Sequence, residues 1–387
     1  MARIGIYGGS FNPPHLGHIT AALQAVDALC LDKVLMIPAG VAPHKQLPSN
    51  SPTPWQRLEM LRLAVRGNSK IEVSDIELRR EGKSYTYQTI LQLKQMYPRD
   101  ELILLMGTDM FLSLDSWKNP QIILENAAVG VLYRGQADEK DAIAAKMAQM
   151  NGKIFLVEND VLTVSSTDLR RMLIMNCADS FLPKGVSAYV AENGLYGTGK
   201  DYQKLSMEEL ESVVIGLLKP NRVAHVLGCR DTAVSMAKRW GADETDAARA
   251  GLLHDITKAL DGPLQLTLCR EYGKILDAFS EKNPKIIHAL TGSLVAQRIF
   301  GENENVVQAI RWHTTGKPGM SLLDKIIYVA DYIEPTRDFP NVDTLRELAY
   351  SDLNAAVRLG LEMAIDLLRK QGREVCPQSL ETLAWLR

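Results

Sequence analysis

Short apolar runs alternate with longer amphipathic stretches over the first half of the chain. Residues 3–7 (RIGIY), 33–38, 71–74, 102–106, 128–133 and 154–157 are compact aliphatic runs that predict buried strands. Between them, residues 19–30, 55–66, 86–96 and 139–150 carry the apolar spacing of helices. Strands alternating with helices predict a mostly parallel sheet covered on both faces. The pattern stops near residue 190, where AENGLYGTGKDYQKL (191–205) is rich in glycine and polar residues, lacks a hydrophobic period and predicts a linker. Beyond it the periodic stretches all read as helix: SMEELESVVIGLLK, then 223–240, 245–253, 283–300, 305–313, 320–333 and 344–370. The predicted fold class is an α/β domain over residues 1–197 followed by an all-α helical bundle over 198–387.

Composition narrows the range of partners. A chain of 387 residues is long for one core, because domains typically run about 100–200 residues. Lysine plus arginine (44) nearly balances aspartate plus glutamate (46), which argues against a broad surface for nucleic acid or anionic lipid and for small, locally charged ligands. The five cysteines are scattered without a C-x-x-C pair and read as reduced thiols, mostly small buried hydrophobes. No apolar run approaches the roughly 18–20 residues of a membrane span, and the first residues lack the pattern of a signal peptide. The expectation is a cytoplasmic protein with no membrane partner.

The first candidate chemistry lies directly behind the first strand, in GGSFNPPHLGH. In an open parallel sheet, ligands bind beyond the carboxyl ends of the strands, at the turn into the following helix. Gly8 and Gly9 let the backbone approach a phosphate, Pro13 and Pro14 stiffen the loop, and a helix starting near His15 to Gly17 offers unpaired amides to an anion. His15 and His18, three apart, share one helix face and could donate to phosphate oxygens whose charge grows in a transition state. Capping, core packing and metal ligation are the alternatives. A second segment, VLTVSSTDLRRML (161–173), gathers the Ser165, Ser166 and Thr167 hydroxyls and the Arg170 guanidinium at another helix start, which suits a second phosphate. Two such clamps on one sheet suit a triphosphate.

GSFNPPHLGH with SSTDLR resembles the HxGH nucleotidyltransferase superfamily, and within it the bacterial nicotinate-nucleotide adenylyltransferases. PHK (43–45), SYTYQT (84–89), GTD (107–109) and SWKN (116–119) extend the resemblance over residues 3–197. The resemblance implies a Rossmann-like parallel sheet and transfer of AMP from ATP, carrying Mg2+, to nicotinate mononucleotide. It implies that His15 and His18 contact the ATP phosphates beside the turn of Gly8, Gly9, Ser10 and Phe11. His44 and Lys45, in a long proline-bearing loop (38–54), are either phosphate-facing or solvated loop residues. It further implies that Ser165, Ser166, Thr167 and Arg170 close over the adenylate and pyrophosphate, and that Gly107 and Asp109 meet the nucleotide. Trp117, assisted by Tyr85 and Thr86, would stack on the pyridine ring; simple packing of Trp117 is the alternative.

The second candidate chemistry is a series of histidines. Four of the chain's seven, His225, His254, His288 and His313, fall in or at the ends of predicted helices after residue 200. His254 is followed by Asp255 in AGLLHDITK, an apolar setting where a carboxylate is costly unless paired or bound to metal. Helical bundles build metal sites from such side chains. The order H…HD…H…H…D resembles the HD-domain phosphohydrolases. RVAHVLG, HALTGSLVA, RWHTTG and YVADYIEPTR are similar to the bacterial HD subfamily that splits diadenosine tetraphosphate symmetrically, over residues 205–375. That resemblance implies metal ligands His225, His254, Asp255, His288, His313 and Asp331, with Asp255 bridging two ions and Asp324 a rival to Asp331. Lys258 and Arg337 are candidate phosphate contacts or solvated cations. Imidazole with carboxylate tolerates iron, manganese and other divalent ions, so ligand type leaves the metal open.

Together these readings predict a bifunctional enzyme that makes nicotinate adenine dinucleotide and hydrolyses dinucleoside polyphosphates. The alternatives are a helical half that senses nucleotides or hydrolyses another one, and a transferase with a different acceptor such as phosphopantetheine. Nicotinate against nicotinamide selectivity and a possible homo-oligomer stay open.

Overall fold

The computed structural model describes residues 1–41, 47–48, 50–133, 137–159 and 164–387. The chain divides into two compact units, Met1–Lys200 and Asp201–Arg387.

In the first unit six strands form one sheet: β1 (Arg3–Gly9), β2 (Lys33–Pro38), β3 (Ile71–Val73), β4 (Glu101–Gly107), β5 (Ala128–Tyr133) and β6 (Ile154–Glu158). All neighbours are parallel, in the order β3-β2-β1-β4-β5-β6. Strand residues alternate between two apolar cores. Ile4, Ile6, Leu35, Leu104 and Val129 pack on one face with Ile90 and Phe111, while Val34, Met36, Ile103 and Leu105 pack on the other with Ala21, Ala22 and Ala25. Burial on both faces explains why these strands are near-continuous apolar runs. The chain leaves β1 in one direction for β2 and returns on the other side as β4. The carboxyl ends of β1 and β4 therefore flank the crevice where such sheets bind ligands.

The second unit is all helical. Its central helix, Leu322–Ile333, is buried along most of its length through Leu323, Ile326, Ile327, Val329 and Ala330. Helices Val223–Trp240, Glu304–Trp312 and Leu353–Lys370 pack around it. A β-carbon at Gly251 would stand 2.7 Å from the Arg230 Cα, so glycine lets the Glu244–Leu253 and Val223–Trp240 helices meet backbone to backbone.

Three sequence expectations need correction. The stretch 344–370 is two helices, Val342–Ser351 and Leu353–Lys370, because Asp352 leaves the helical conformation and its side chain accepts from the Ala355 N–H at 3.0 Å. The stretch 191–205 is only partly a linker: Leu195, Tyr196 and Tyr202 are buried. Cys30 is exposed, whereas Cys177, Cys229 and Cys269 are the buried hydrophobes expected. Sequence periodicity also missed helices Lys184–Glu192, Gly262–Glu271 and Pro377–Trp385. Among the described residues no helix is long and apolar enough to cross a membrane.

Candidate active sites

The β1 turn builds the first site. His15 caps the helix Leu16–Ala28, and its ring lies 3.7 Å, centroid to centroid, from that of His18. The His15 backbone N–H donates to His18 Nδ1 at 3.2 Å, which puts the neutral His18 proton on Nε2. Buried Phe11 meets the His18 ring edge-on at 5.1 Å. Gly8 faces open space, and the Ser10 carbonyl accepts from Arg57 Nη1 at 2.6 Å. Burial pushes His15 down to about 4, so both its nitrogens belong to a neutral ring near pH 7; its Nδ1 has no partner among the described residues.

The chain returns to this turn from far along the sequence. Ser166 Oγ donates to the Pro13 carbonyl at 3.3 Å, and Arg170 Nη1 donates to the Asn12 carbonyl at 2.8 Å. Ser165 accepts from the Asp168 N–H at 3.1 Å and so caps the Ser166–Ile174 helix, while Arg170 Nη2 donates to Thr167 Oγ1 at 3.0 Å. At the end of β4, Gly107 leads into the Thr108–Leu112 helix, where exposed Asp109 adds its charge to the burial that raises Tyr7 of β1 to about 12. Tyr85 and Thr86 open the Thr86–Met96 helix, and Lys118 Nζ lies 4.5 Å above the Tyr85 ring, bringing SYTYQT beside SWKN. Trp117 is half-buried against the core. His44 and Lys45 lie outside the described residues.

The second site draws on three helices and on the turns that end two others. His225 sits in Val223–Trp240, His254 and His313 end Glu244–Leu253 and Glu304–Trp312, His288 lies in Pro284–Arg298, and Asp331 lies in Leu322–Ile333. Three histidines have Nδ1 tied back: His254 to the Gly251 carbonyl at 2.8 Å, His313 to the Ile310 carbonyl at 2.7 Å, and His225 to Glu334 Oε1 at 3.0 Å. Each acceptor takes the Nδ1 proton, so each neutral ring presents a bare Nε2 lone pair. His225 and His254 Nε2 then stand 3.3 Å apart, a repulsive approach that a shared cation would reverse. Asp255 spans the cluster. Its Oδ2 is 3.7 Å from both His225 and His254 Nε2, and its Oδ1 is 3.3 Å from His288 and 3.9 Å from His313. Asp331 Oδ1 lies 3.2 Å from His225 Nε2. Two groups, His225–His254–Asp331 and His254–Asp255–His313, hold ligand atoms within 4.8 Å of one another.

Charge favours such ligands. Burial drives His254 well below the ordinary imidazole value and His313 to about 3, the latter helped by the neighbouring His288. For Asp331 burial acts upward, but the contact with His225 and the Arg337 guanidinium outweigh it and hold the carboxyl well below its usual range. Arg222 pairs with Asp255 and Arg337 with Asp331, and Lys258 Nζ lies 2.9 Å from His288 Nε2. Asp324, the rival ligand, is buried elsewhere: it caps its own helix with Ser321 and pairs with Lys317 at 3.3 Å.

The buried imidazoles make stability depend on pH. An unfolded histidine takes a proton near pH 6.5, while folded His15 and His313 do so only at about 4 and about 3. Between those values the unfolded chain binds more protons, so this contribution is complete above about pH 6.5 and is lost as the pH falls toward the folded values. The metal-stripped chain should unfold at lower urea concentration at pH 5 than at pH 7. An equal or higher midpoint at pH 5 contradicts this reading.

Comparison with known proteins finds a different family in each unit. Residues 6–172 match the cytidylyltransferase-like family and residues 222–336 match the HD domain family. One relative, a symmetrical bis(5'-nucleosyl)-tetraphosphatase of Bacillus subtilis, is 39% identical over 47% of this chain and 98% of its own length. Another, a probable nicotinate-nucleotide adenylyltransferase of Exiguobacterium sibiricum, is 36% identical over 51% of this chain and 100% of its own. The chain belongs to the cytidylyltransferase-like family in its first unit and to the HD-domain family in its second. A solved structure titled a predicted HD superfamily hydrolase involved in NAD metabolism, from Clostridium acetobutylicum, is 37% identical over 47% of this chain and 97% of its own, with a TM-score of 0.46.

Each unit also contains residues that the sequence reading passed over. In the cytidylyltransferase-like unit, Arg57 is 1% exposed and donates to the Ser10, Ala39 and Gly40 carbonyls, joining the turns after β1 and β2. In the HD unit, fully buried Glu334 orients His225, accepts from Thr336, and would meet a β-carbon at Gly228 at 2.6 Å. Arginine on a helix rich in charged residues and glutamate in YIEPTR both look like solvated positions. Only the tertiary fold shows their burial.

Proposed function

We propose that the first unit transfers AMP from ATP to nicotinate mononucleotide, and that the second hydrolyses diadenosine tetraphosphate to two ADP. The observation that supports the first half most directly is the convergence of Ser166 and Arg170 on the turn that carries His15 and His18. In the reaction the mononucleotide phosphate oxygen bonds to the α-phosphorus of ATP as the bond to pyrophosphate breaks, with no covalent enzyme intermediate. His18 donates from Nε2 to a phosphate oxygen, the unpaired amides at the start of Leu16–Ala28 and the Arg170 guanidinium take up the growing negative charge, and Trp117 with Tyr85 receives the pyridine ring. Mg2+ accompanies the ATP. Competition among nicotinate mononucleotide, nicotinamide mononucleotide and phosphopantetheine tests the acceptor: preference for the first supports this reading.

The second half is supported most directly by Asp255, whose two oxygens face two different histidine pairs. The buried imidazoles and carboxylates fit divalent ions, which His225, His254, His288, His313, Asp331 and Asp255 would hold. When bound, such ions polarise phosphoryl oxygens and make water acidic enough to attack at neutral pH. Arg222, Arg337 and Lys258 supply the positive charge that draws and orients the polyphosphate. Water adds to one central phosphorus while the bridge oxygen leaves on the other, giving two ADP. Glu334 keeps the His225 proton on Nδ1 and its lone pair on Nε2. Glu334→Gln should therefore weaken metal retention about 10–100-fold in a chelator titration read by metal content. Unchanged retention contradicts that role.

A further inference from the structure

We propose that Tyr196, at the end of the first unit, is a positioning residue for adenylyl transfer that acts through Asn12 on the turn carrying His15 and His18. The inference rests on the adenylyltransferase reading above. Within a glycine-rich stretch, Tyr196 is only 6% exposed and adopts a left-handed backbone conformation, φ 58° and ψ 20°, which bulky residues avoid. The tertiary contact that accompanies it is a hydrogen bond: Tyr196 Oη donates to Asn12 Oδ1 at 2.7 Å, across 184 residues of sequence. Burial raises the phenol's pKa, so Tyr196 stays protonated and remains a donor.

Asn12 is tied on every side. Its Nδ2 donates to Ser51 Oγ at 3.0 Å and its carbonyl accepts from Arg170 Nη1 at 2.8 Å. With Oδ1 held by Tyr196, the side-chain amide has a fixed orientation, and it is itself 1% exposed. Asn12 lies three residues before His15, in the same turn that Arg57 grips through the Ser10 carbonyl. Neither Tyr196 nor the Asn12 side chain needs to touch substrate for this arrangement to matter. Losing the Tyr196 hydroxyl strands a buried acceptor and loosens the turn that aims both imidazoles.

Tyr196→Phe keeps the ring and deletes the hydroxyl. In the full chain, kcat for forming nicotinate adenine dinucleotide should fall about tenfold to a hundredfold with KM for ATP within about twofold. Asn12→Ala attacks the same bond from the other side, and the double variant should be no slower than Asn12→Ala alone. Thermal unfolding of each variant checks that the chain is folded. Wild-type kcat in folded Tyr196→Phe, losses that multiply in the double variant, or a loss confined to KM overturns the inference. A drop in activity matched by loss of the folded fraction also overturns it, because the role is then structural. Failure of the wild-type chain to make the dinucleotide refutes the adenylyltransferase reading instead.

Discussion

Asp255→Ala should abolish diadenosine tetraphosphate hydrolysis, by about a thousandfold or more, and leave adenylyl transfer within about twofold. Removing an outer partner of a metal ligand typically costs about 10–100-fold, and Asp255 faces both histidine pairs directly. A thousandfold loss corresponds to about 4 kcal/mol of transition-state stabilisation. Asp255 also pairs with Arg222 and Lys258, so alanine removes a buried anion from among cations and imidazoles. Asp255→Asn keeps the side-chain shape and separates the loss of charge from a loss of fold. Metal content and both activities, measured on the same preparations, check the prediction. Hydrolysis surviving in a metal-loaded variant contradicts it.

His18→Ala should do the reverse. Its Nε2 proton is the donor fixed by the His15 amide, and removing one such donor in a preorganised anion site costs about a hundredfold to a thousandfold. The lesion should fall mainly on kcat, because the charge that His18 meets develops as the α-phosphorus changes partners. Hydrolysis by the HD unit should stay at the wild-type rate, since every residue assigned to it lies after Lys200. Loss of both activities in soluble, folded His18→Ala contradicts independent sites.

Much of this molecule was legible in its sequence where chemistry and periodicity coincide. The strands 33–38 and 128–133 and the helices 86–96 and 223–240 emerge with the ends the sequence predicts, because glycine, proline or charged residues stand at or near their boundaries. Asp255 was visible as a charge in an apolar helix, and Asp331 was separable from Asp324 by its ADYIEP setting. The break at Asp352 was hidden because apolar spacing continues on both sides of it. Tyr196 was hidden by the glycines around it, whose composition is that of a linker although the tyrosine is anchored by a distant asparagine. Arg57 and Glu334 share the same reason for being missed: a buried charge satisfied by backbone carbonyls or by a histidine looks, in one dimension, like a charge facing water.

The central claim is that one chain carries two phosphate chemistries on separate residue sets. Its most direct test is to give the full chain diadenosine tetraphosphate with ferrous, manganous or magnesium ions in turn, and to quantify nucleotide products beside the His18→Ala and Asp255→Asn variants. Two ADP per substrate, retained in His18→Ala and lost in Asp255→Asn, is the expected result. No ADP from folded, metal-loaded protein, or AMP and ATP in its place, would contradict the account.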